Sequence, residues 1–364
     1  MTKVLVDGSG LVYRAFYGMP ELSSPSGLPI GAVYGFARMI QRLMKNSRTH
    51  PWRIVFDPPG PTFRHKLDTQ YKSQRPPPPQ DLSVQWPLVH TLCQHMGMNL
   101  PTATGFEADD VLATYAHECS QSKEELVVIT SDKDMMQILS PHVSLYDPFR
   151  ERWTRYQDFR TQYSLQPQQW IEMQGLMGDK TDNIPGIPGV GPKTALHWIQ
   201  TYGSLENLYH AKETLTPRWQ KALETHKDSA FLSRTLARLR TDVPHLPPLT
   251  QEPADTQTLR DFFQTHGMRS LAPPAPSIAS APTALLNTPD QQKNLVLSAC
   301  QTGWWCLYPD YGDDGTLHGW GVFVGNICGL IPQDLFTQLD PFWQSPSIQT
   351  ITCQGRELLR HSVT

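Results

Sequence analysis

The sequence predicts an α/β protein in which a parallel sheet is joined to a helical subdomain, and two observations carry that prediction. Short apolar, β-branched runs alternate with helical patterns through the first half of the chain, as in parallel sheets with crossover helices. From about residue 154 to 268 the strand signals fade and helical patterns dominate. At 364 residues the chain has room for two or three domains.

The predicted strands are three short runs that each end close to an aspartate. They are "VLV" before Asp7, "RIVF" before Asp57 and "LVVIT" before Ser131 and Asp132. Between them stand the helical patterns "GAVYGFARMIQRLMK", "DLSVQWPLVHTLCQHMG" and "EADDVLATYAHECS". In parallel sheets ligands collect beyond the carboxyl ends of the strands. We therefore expect the three aspartates at the ligand-binding edge.

The second half of the chain supplies the domain boundaries. Helical patterns appear in "QQWIEMQGLM", "KTALHWIQTYG" and "LTPRWQKALETHKDSAFLSRTLARL". A stretch rich in Pro, Ala and Ser is typical of a linker, and the segment after it resembles the start of another α/β unit, with "GWWCLY" and "GWGVFVGNICGLI". The predicted divisions are a core at 1–175, a helical subdomain at 176–268, a linker at 269–290 and a last unit at 291–364.

Composition excludes several classes of protein. The formal net charge of −3 gives no global basic signal, and 39% hydrophobic residues suffice for globular cores. The first residues form no signal peptide and no apolar window is long enough to span a bilayer. A disulfide framework or zinc knuckle is not expected from cysteines that are scattered and form no Cys-x-x-Cys pair. They are Cys93, Cys119, Cys300, Cys306, Cys328 and Cys353. The prediction is a soluble protein of a reducing compartment.

Carboxylates are the strongest chemical signal. In isolation each group has an ordinary structural interpretation, because acids before or within a first helical turn cap it and favour its dipole, and Asp-Asn before Ile-Pro forms turns. As a set they are expected to converge on one edge of the sheet. The nine acids are Asp7, Asp57, Glu107, Asp109, Asp110, Asp132, Asp134, Asp179 and Asp182.

Nine converging carboxylates would repel one another and raise each other's pKa, and divalent cations remove that repulsion. Oxygen ligands without His or Cys suit Mg²⁺ or Mn²⁺ rather than zinc. Two such ions, roughly 3.5–4 Å apart, bind the attacking and leaving oxygens of a phosphoryl displacement. The spacing thus favours a phosphodiesterase.

The stretch "MGDKTDNIPGIPGVGPKTA", residues 177–195, has the outline of a nucleotide-binding loop. Such a loop follows a strand, whereas helical residues precede this one and Pro192 separates the glycine from Lys193. A tight Gly/Pro turn between helices is one alternative. The better fit is a clamp on nucleic acid, in which backbone amides and a helix N-terminus hold phosphates. Its candidate contacts are Gly186, Gly189, Gly191, Lys193 and Thr194.

A basic segment, "PPGPTFRHKLDTQYKSQRPPPP" at 58–79, separates the second strand from the next helix. Cations beside stackable rings suit single-stranded nucleic acid, although a solvated surface loop is the alternative. Arg14, shortly after Asp7, is a further candidate phosphate ligand, or else a surface arginine on a helix. The segment carries Phe63, Arg64, His65, Lys66, Tyr71, Lys72 and Arg75.

Taken together, these motifs resemble the 5′ nuclease domain of bacterial DNA polymerase I, within the flap endonuclease superfamily. The resemblance runs from Met1 to about residue 270. It rests on "VDGSGLVYRAF", "GAVYGF", "VFDPPGPTFRHKL", "YKSQRPPPP", "GFEADDVLAT", "TSDKDMMQIL" and "LMGDKTDNIPGIPGVGPKTA" in the family's order.

The resemblance implies a parallel-sheet, PIN-like nuclease core with a helical arch at 58–80 and a helix–three-turn–helix DNA-binding subdomain. It implies a structure-specific 5′→3′ exonuclease and flap endonuclease with two divalent metals, acting in primer removal and repair. By motif position the nine acids match the metal site, with Asp110 acting through water. Lys72 and Arg75 match the arch, while Tyr71, Arg64 and Arg14 match residues near the scissile phosphate. The glycine loop matches an element that holds duplex phosphates, often with K⁺.

Beyond residue 290 the resemblance weakens towards an incomplete 3′→5′ exonuclease-like domain, in which "GWWCLYPDYG" lacks the Asp-x-Glu metal motif. Proofreading and polymerase activities are not expected, and 291–364 is predicted to be poorly ordered or aggregation-prone. The expected partners are DNA with 5′ flaps, nicks or RNA primers, and whether a polymerase acts in trans stays open. The expected location is the bacterial cytoplasm. The alternatives are a noncatalytic DNA-junction binder and a PIN-like ribonuclease.

Overall fold

The computed structural model describes residues 2–45, 51–98, 103–250 and 252–273 in full, and beyond them the backbone of six strands. The chain divides into two compact units, Met1–Pro273 and Pro274–Thr364. No helix within these described stretches is long and apolar enough to cross a membrane.

The described part of the first unit contains one five-stranded sheet, in the order β2-β1-β3-β4-β5. Its first four strands are parallel and β5 is antiparallel to β4. The three predicted strands are confirmed, whereas β4 and β5 were not predicted. The strands are β1 Lys3–Asp7, β2 Trp52–Val55, β3 Leu126–Ile129, β4 Val143–Asp147 and β5 Arg152–Thr154.

Helices cover the sheet because its strands alternate apolar side chains towards both faces. Leu5 and Val128 pack in one core with Leu112 of α5, while Val6 and Ile54 pack in a second core with Phe36 of α2. The three helical patterns predicted between the strands are confirmed. The helices of this half are α1 Gly8–Gly18, α2 Gly31–Met44, α3 Phe63–Leu67, α4 Gln80–His95 and α5 Ala108–Ser122.

The helical half shares the first of these cores, in which Trp198 and Ile199 pack with the residues of the sheet. The long helical pattern predicted over 215–239 is broken at His226, which separates two helices. The helices are α6 Tyr156–Tyr163, α7 Trp170–Met177, α8 Pro192–Tyr202, α9 Leu205–His210, α10 Pro217–Thr225, α11 Lys227–Ala237 and α12 Thr256–Thr265.

The end of the first unit departs from the predicted boundaries. Helix α12 does not join the helical subdomain, because Phe262 and Phe263 are buried in the core that contains α2 and α4. Leu271 is also buried there, and its carbonyl oxygen accepts a hydrogen bond from Gln41 Nε2 at 2.8 Å. The described residues 269–273 therefore pack on the first unit instead of starting a linker.

The described strands of the second unit form a sheet in the order β11-β10-β7-β8-β9-β6. Strands β7, β8 and β9 are antiparallel neighbours, and β10 is parallel to β7. The predictions made for the linker at 274–283 and 286–290, and for the segments between these strands, lie outside the described residues. The strands are β6 Ala284–Leu285, β7 Trp304–Tyr311, β8 Leu317–Val324, β9 Ile327–Pro332, β10 Gln349–Gln354 and β11 Glu357–His361.

Candidate active site

A cavity of about 510 Å³ lies where β1, β2 and β3 end. It is open to solvent and strongly acidic, and five basic residues, Arg64, Lys72, Arg75, Lys133 and Arg150, also line it. Eight of the nine predicted acids line this cavity, and the exception is Asp110. The eight are Asp7, Asp57, Glu107, Asp109, Asp132, Asp134, Asp179 and Asp182.

Hydrogen bonds from backbone amides and from one threonine hydroxyl hold the strand-end carboxylates in place. Asp7 Oδ1 accepts from the Gly10 amide at 3.0 Å, and Asp7 Oδ2 accepts from Thr130 Oγ1 at 3.1 Å. Asp57 Oδ1 accepts from the amide of Ala108, the first residue of α5, at 2.9 Å. The same carboxylates therefore cap helices and line the cavity. They can do both because the parallel strands end at a common edge, where the next helices begin.

Burial and mutual repulsion raise the pKa of the acids deepest in the cavity. Burial, opposed by the Gly10 amide and reinforced by Asp57 and Asp132, raises the pKa of Asp7 from 3.8 to about 6. Burial and the Asp132 charge raise the pKa of Asp134 to about 7. Burial, followed by Asp132 and Asp7, raises the pKa of Asp109. The cavity therefore holds negative charge at a cost in free energy.

The donor set fits hard divalent cations. Among the described residues, no three His, Cys, Asp or Glu side chains stand close enough, as placed, to hold one ion. The cavity nevertheless gathers carboxylate oxygens with no histidine or cysteine among its lining residues, which is the chemistry that Mg²⁺ and Mn²⁺ prefer. The raised pKa values mark the repulsion that such cations would relieve.

Asp110 corrects one prediction, since it does not face the cavity. Its carboxylate is fully buried and accepts both Nη hydrogens of Arg64, at 2.7 and 2.8 Å. It also accepts from the amides of Glu107 and Arg240, at 3.0 and 2.9 Å. With these four bonds the carboxylate is occupied by the protein, so the role of a water-mediated metal ligand does not fit Asp110.

Arg64 is corrected with it. Only 1% of Arg64 is exposed, and its guanidinium also donates to the carbonyl oxygens of Leu236 and Arg238, at 2.8 and 2.9 Å. This residue joins α3 to α5 and to the end of α11 with the residue that follows it. A group held in this way braces the wall of the cavity and is not free to move onto a phosphate.

Tyr71, Lys72 and Arg75 of the basic segment line the cavity. The Tyr71 hydroxyl donates to Glu107 Oε2 at 3.0 Å, and Lys72 Nζ donates to Glu107 Oε1 at 2.9 Å. Arg75 Nη2 lies 2.5 Å from Asp182 Oδ1. The Lys72 amide donates to the Asp182 carbonyl oxygen at 2.9 Å, with Lys72 in the left-handed region at φ 54°. The basic segment is thus anchored to the loop that carries Asp182.

Arg14 is not among the residues that line the cavity, and its place beside the reacting phosphate stays a prediction. It is exposed, and its guanidinium lies 5.1 Å from the centre of the Phe149 ring. Two basic residues that were not predicted line the cavity instead. Lys133 Nζ lies 2.9 Å from Asp179 Oδ2, and Arg150 follows the carboxyl end of β4. Recognising β4 from the sequence would have placed Arg150 at this edge.

The glycine loop divides into a buried and an exposed part. Gly186 is buried with φ 60°, and its amide donates to Ser233 Oγ at 2.9 Å, so it does not fit the predicted phosphate contact. Gly189 and Lys193 are exposed, and Gly191 and Thr194 are half-buried at the start of α8. No neighbouring atom stands within 4 Å of a Cβ built on Gly191. The exposed part retains the predicted geometry of a clamp.

The fold and the cavity define an α/β protein with a carboxylate-lined cleft at the carboxyl edge of its parallel sheet. Two family models match successive parts of it. They are "5′-3′ exonuclease, N-terminal resolvase-like domain" over residues 2–166 and "5′-3′ exonuclease, C-terminal SAM fold" over residues 165–258.

The chain is also similar in sequence to proteins of known name. The 5′-3′ exonuclease of Aquifex aeolicus is 37% identical over 242 residues, which cover 66% of this chain and 83% of that protein. DNA polymerase I of Rhizobium leguminosarum is 38% identical over 274 residues, or 72% of this chain. The match spans only 27% of that polymerase. The chain belongs to the 5′-3′ exonuclease family.

Solved structures agree on the fold. A structure of T5 5′-exonuclease with bound zinc has a TM-score of 0.55 at 21% identity, covering 73% of this chain and all of that one. The catalytic core of Rad2 in complex with a DNA substrate has a TM-score of 0.52 at 21% identity, covering 72% of this chain and 87% of that one. The expected parallel-sheet nuclease core with an added helical domain is confirmed.

Proposed function

We propose that the chain is a metal-dependent, structure-specific 5′→3′ exonuclease and 5′-flap endonuclease, which acts in primer removal and DNA repair. The observation that carries the proposal is the convergence of eight carboxylates and the arch cations on one cavity at the carboxyl edge of the sheet. Family membership supports the class of reaction, and the geometry supports the place where it occurs.

The metal ligands are assigned to the carboxylates that line the cavity, with two Mg²⁺ or Mn²⁺ ions as the cofactors. The carboxylates of Asp7, Asp57, Asp109, Asp132 and Asp134 would hold one ion, and those of Glu107, Asp179 and Asp182 would complete the two-ion site. When bound, such ions activate a water and stabilise the leaving oxygen.

The chain's own residues position the strand. Lys72 and Arg75 each hold a cavity carboxylate, and a cation that displaces them from those acids leaves both side chains free to contact a phosphate. Arg64 and Asp110 keep the wall behind them fixed. The cavity contains no histidine among its lining residues, which agrees with a mechanism in which no side chain acts as the general base.

Duplex DNA would be held by the exposed part of the glycine loop. Gly189 and Gly191 let a phosphate approach the backbone, and Lys193 and Thr194 stand at the N-terminus of α8, where the helix dipole favours an anion. We assign K⁺ to the same loop, which would hold it beside the bound duplex. These contacts fix the duplex by its backbone and read no sequence.

The partners assigned on this basis are DNA molecules with 5′ flaps, nicks or RNA primers, with a DNA polymerase supplied in trans, in the bacterial cytoplasm. The last unit is assigned to a 3′→5′ exonuclease-like fold, in which "GWWCLYPDYG" lacks an Asp-x-Glu metal motif. The assignments of partner and location follow from the proposed reaction.

Cleavage of an end-labelled 5′-flap duplex in Mg²⁺ tests the proposal, with wild type compared with Asp132→Ala. A matched control is Asp261→Ala, which removes an exposed aspartate on α12. We expect wild type and the control to cut near the junction, and the Asp132 variant to bind the flap in Ca²⁺ without cutting it. Binding without cutting by the wild type, in both Mg²⁺ and Mn²⁺, would support a noncatalytic junction binder instead.

A further inference from the structure

A second, smaller depression of about 370 Å³ stands behind the wall of the acid cavity. We call it the outer groove, and it is lined by Phe63, Lys66, Leu67, Thr235, Arg238 and Arg240. The same two segments, α3 and the residues around the end of α11, also face the acid cavity through Arg64, Leu236, Ala237 and Leu239. One layer of protein therefore has the acids on one side and the outer groove on the other.

The outer groove combines an apolar floor with unpaired positive charge. Phe63 lies 5.9 Å from Phe106 between ring centres, and Leu67 is 50% exposed. Lys66 and Arg238 are exposed, and neither has an ion pair among the described residues. Arg240 stacks on Phe63 and pairs with Asp242, while no carboxylate lines the groove itself.

This composition fits a single-stranded polynucleotide. A nucleobase buries its face on an apolar or aromatic floor, while its phosphates pair with cations at the rim, and neither contact depends on sequence. An apolar peptide would use the floor but would leave Lys66 and Arg238 without a counter-charge. Charge complementarity therefore favours nucleic acid as the occupant.

We propose that the outer groove binds the single-stranded 5′ flap beyond the reacting phosphate, so that long flaps gain a contact that short flaps lack. The inference rests on the proposed flap endonuclease function and extends it to flap-length preference. Binding requires no covalent step, and Lys66 and Arg238 take no part in the cleavage itself.

The experiment compares binding of two 5′-flap duplexes in Ca²⁺, one with a flap of about one nucleotide and one with a flap of about ten. The test variant is Lys66→Ala with Arg238→Ala in the full chain. The matched control is Arg38→Ala with Arg269→Ala, which removes two exposed cations that line neither the cavity nor the groove. Circular dichroism and the cleavage rate on the short flap monitor folding.

We expect the test variant to bind the long flap about tenfold more weakly, with a salt dependence shallower by about one to two phosphate contacts. Its binding and cleavage of the short flap should match the wild type, and the control should match on both. A photoreactive uracil placed in the distal flap should crosslink to the segment that contains Phe63 in wild type.

Equal affinity of test variant and wild type for the long flap, or equal losses on both flaps, would overturn the inference. Either result with normal short-flap cleavage would leave the proposed nuclease function intact. If the wild type neither binds nor cuts either flap, the proposed function itself fails, and the outer groove loses its ligand with it.

Discussion

Arg64 and Asp110 form a fully enclosed bidentate ion pair, with Nη1 and Nη2 of the arginine 2.7 and 2.8 Å from the two carboxylate oxygens. The residues are 1% and 0% exposed. A pair of this kind couples stability to the shape of the active site, because removing one partner leaves the other as an uncompensated buried charge.

Arg64→Met is predicted to lower the free energy of unfolding by about 3–5 kcal/mol, since it strands the Asp110 charge. Combining it with Asp110→Asn should recover part of that loss, because the side chain then carries no charge and its oxygen still accepts one of the two backbone hydrogen bonds. Urea unfolding of the wild type, the two single variants and the double variant measures the coupling. If the two losses simply add, the ion pair makes no specific contribution.

Asp109 and Asp110 are neighbours in sequence, but their substitution by asparagine is predicted to have different effects. Asp109→Asn should abolish flap cleavage while keeping or raising the melting temperature, because burial and the neighbouring carboxylates Asp132 and Asp7 raise the pKa of Asp109 and so disfavour its charge in the fold. Asp110→Asn should lower the melting temperature. Thermal melts and cleavage assays on both variants separate the roles, and a loss of stability in Asp109→Asn would contradict the assignment.

The sequence predicted the location of the site better than it predicted the hydrogen-bond partners of the residues within it. Strand runs followed by aspartates place Asp7, Asp57 and Asp132 at one edge, because parallel strands end together. The direction of Asp110 was not predictable, since successive residues of a helix point about 100° apart and the deciding partner, Arg64, is 46 positions away in the chain. Gly186 was misassigned for a similar reason, because its amide is satisfied by the distant Ser233.

Divalent metal should stabilise the protein more at high pH than at low pH. The folded-state pKa of Asp7 is raised from 3.8 to about 6, and that of Asp134 to about 7. The folded state therefore binds more protons than the unfolded state between these values, and these groups make stability fall as pH rises from about 4 to about 7. Above that window the repulsion is fully present, and a cation relieves it.

The measurement is the melting temperature with EDTA and with Mg²⁺, from about pH 5 to about pH 8. The gain on adding Mg²⁺ should grow as pH rises, because protonated carboxylates bind metal poorly. A variant carrying Asp134→Asn should show a smaller gain and a flatter pH profile in EDTA. A gain that is the same at every pH would mean that these acids do not bind the ion.

Two glycines of the same loop are predicted to separate folding from DNA binding. A Cβ on Gly186 would lie 2.4 Å from the Gly178 nitrogen, and its φ of 60° disfavours any side chain. Gly186→Ala should therefore destabilise the chain by about 1–3 kcal/mol or more. Gly191 has a φ of −102° and open space around it, so Gly191→Ala should keep stability close to the wild-type value.

Duplex binding is expected to separate the two variants in a different way from stability. Gly191→Ala, although folded normally, should weaken duplex binding in Ca²⁺, because the new methyl group stands where a phosphate approaches the start of α8. Denaturant melts combined with duplex titrations on both variants, with Gly18→Ala as a control at an open helical position, measure the two effects. Unchanged duplex affinity in Gly191→Ala would remove this end of the loop from the DNA interface, because its stability shows that the loop itself is intact.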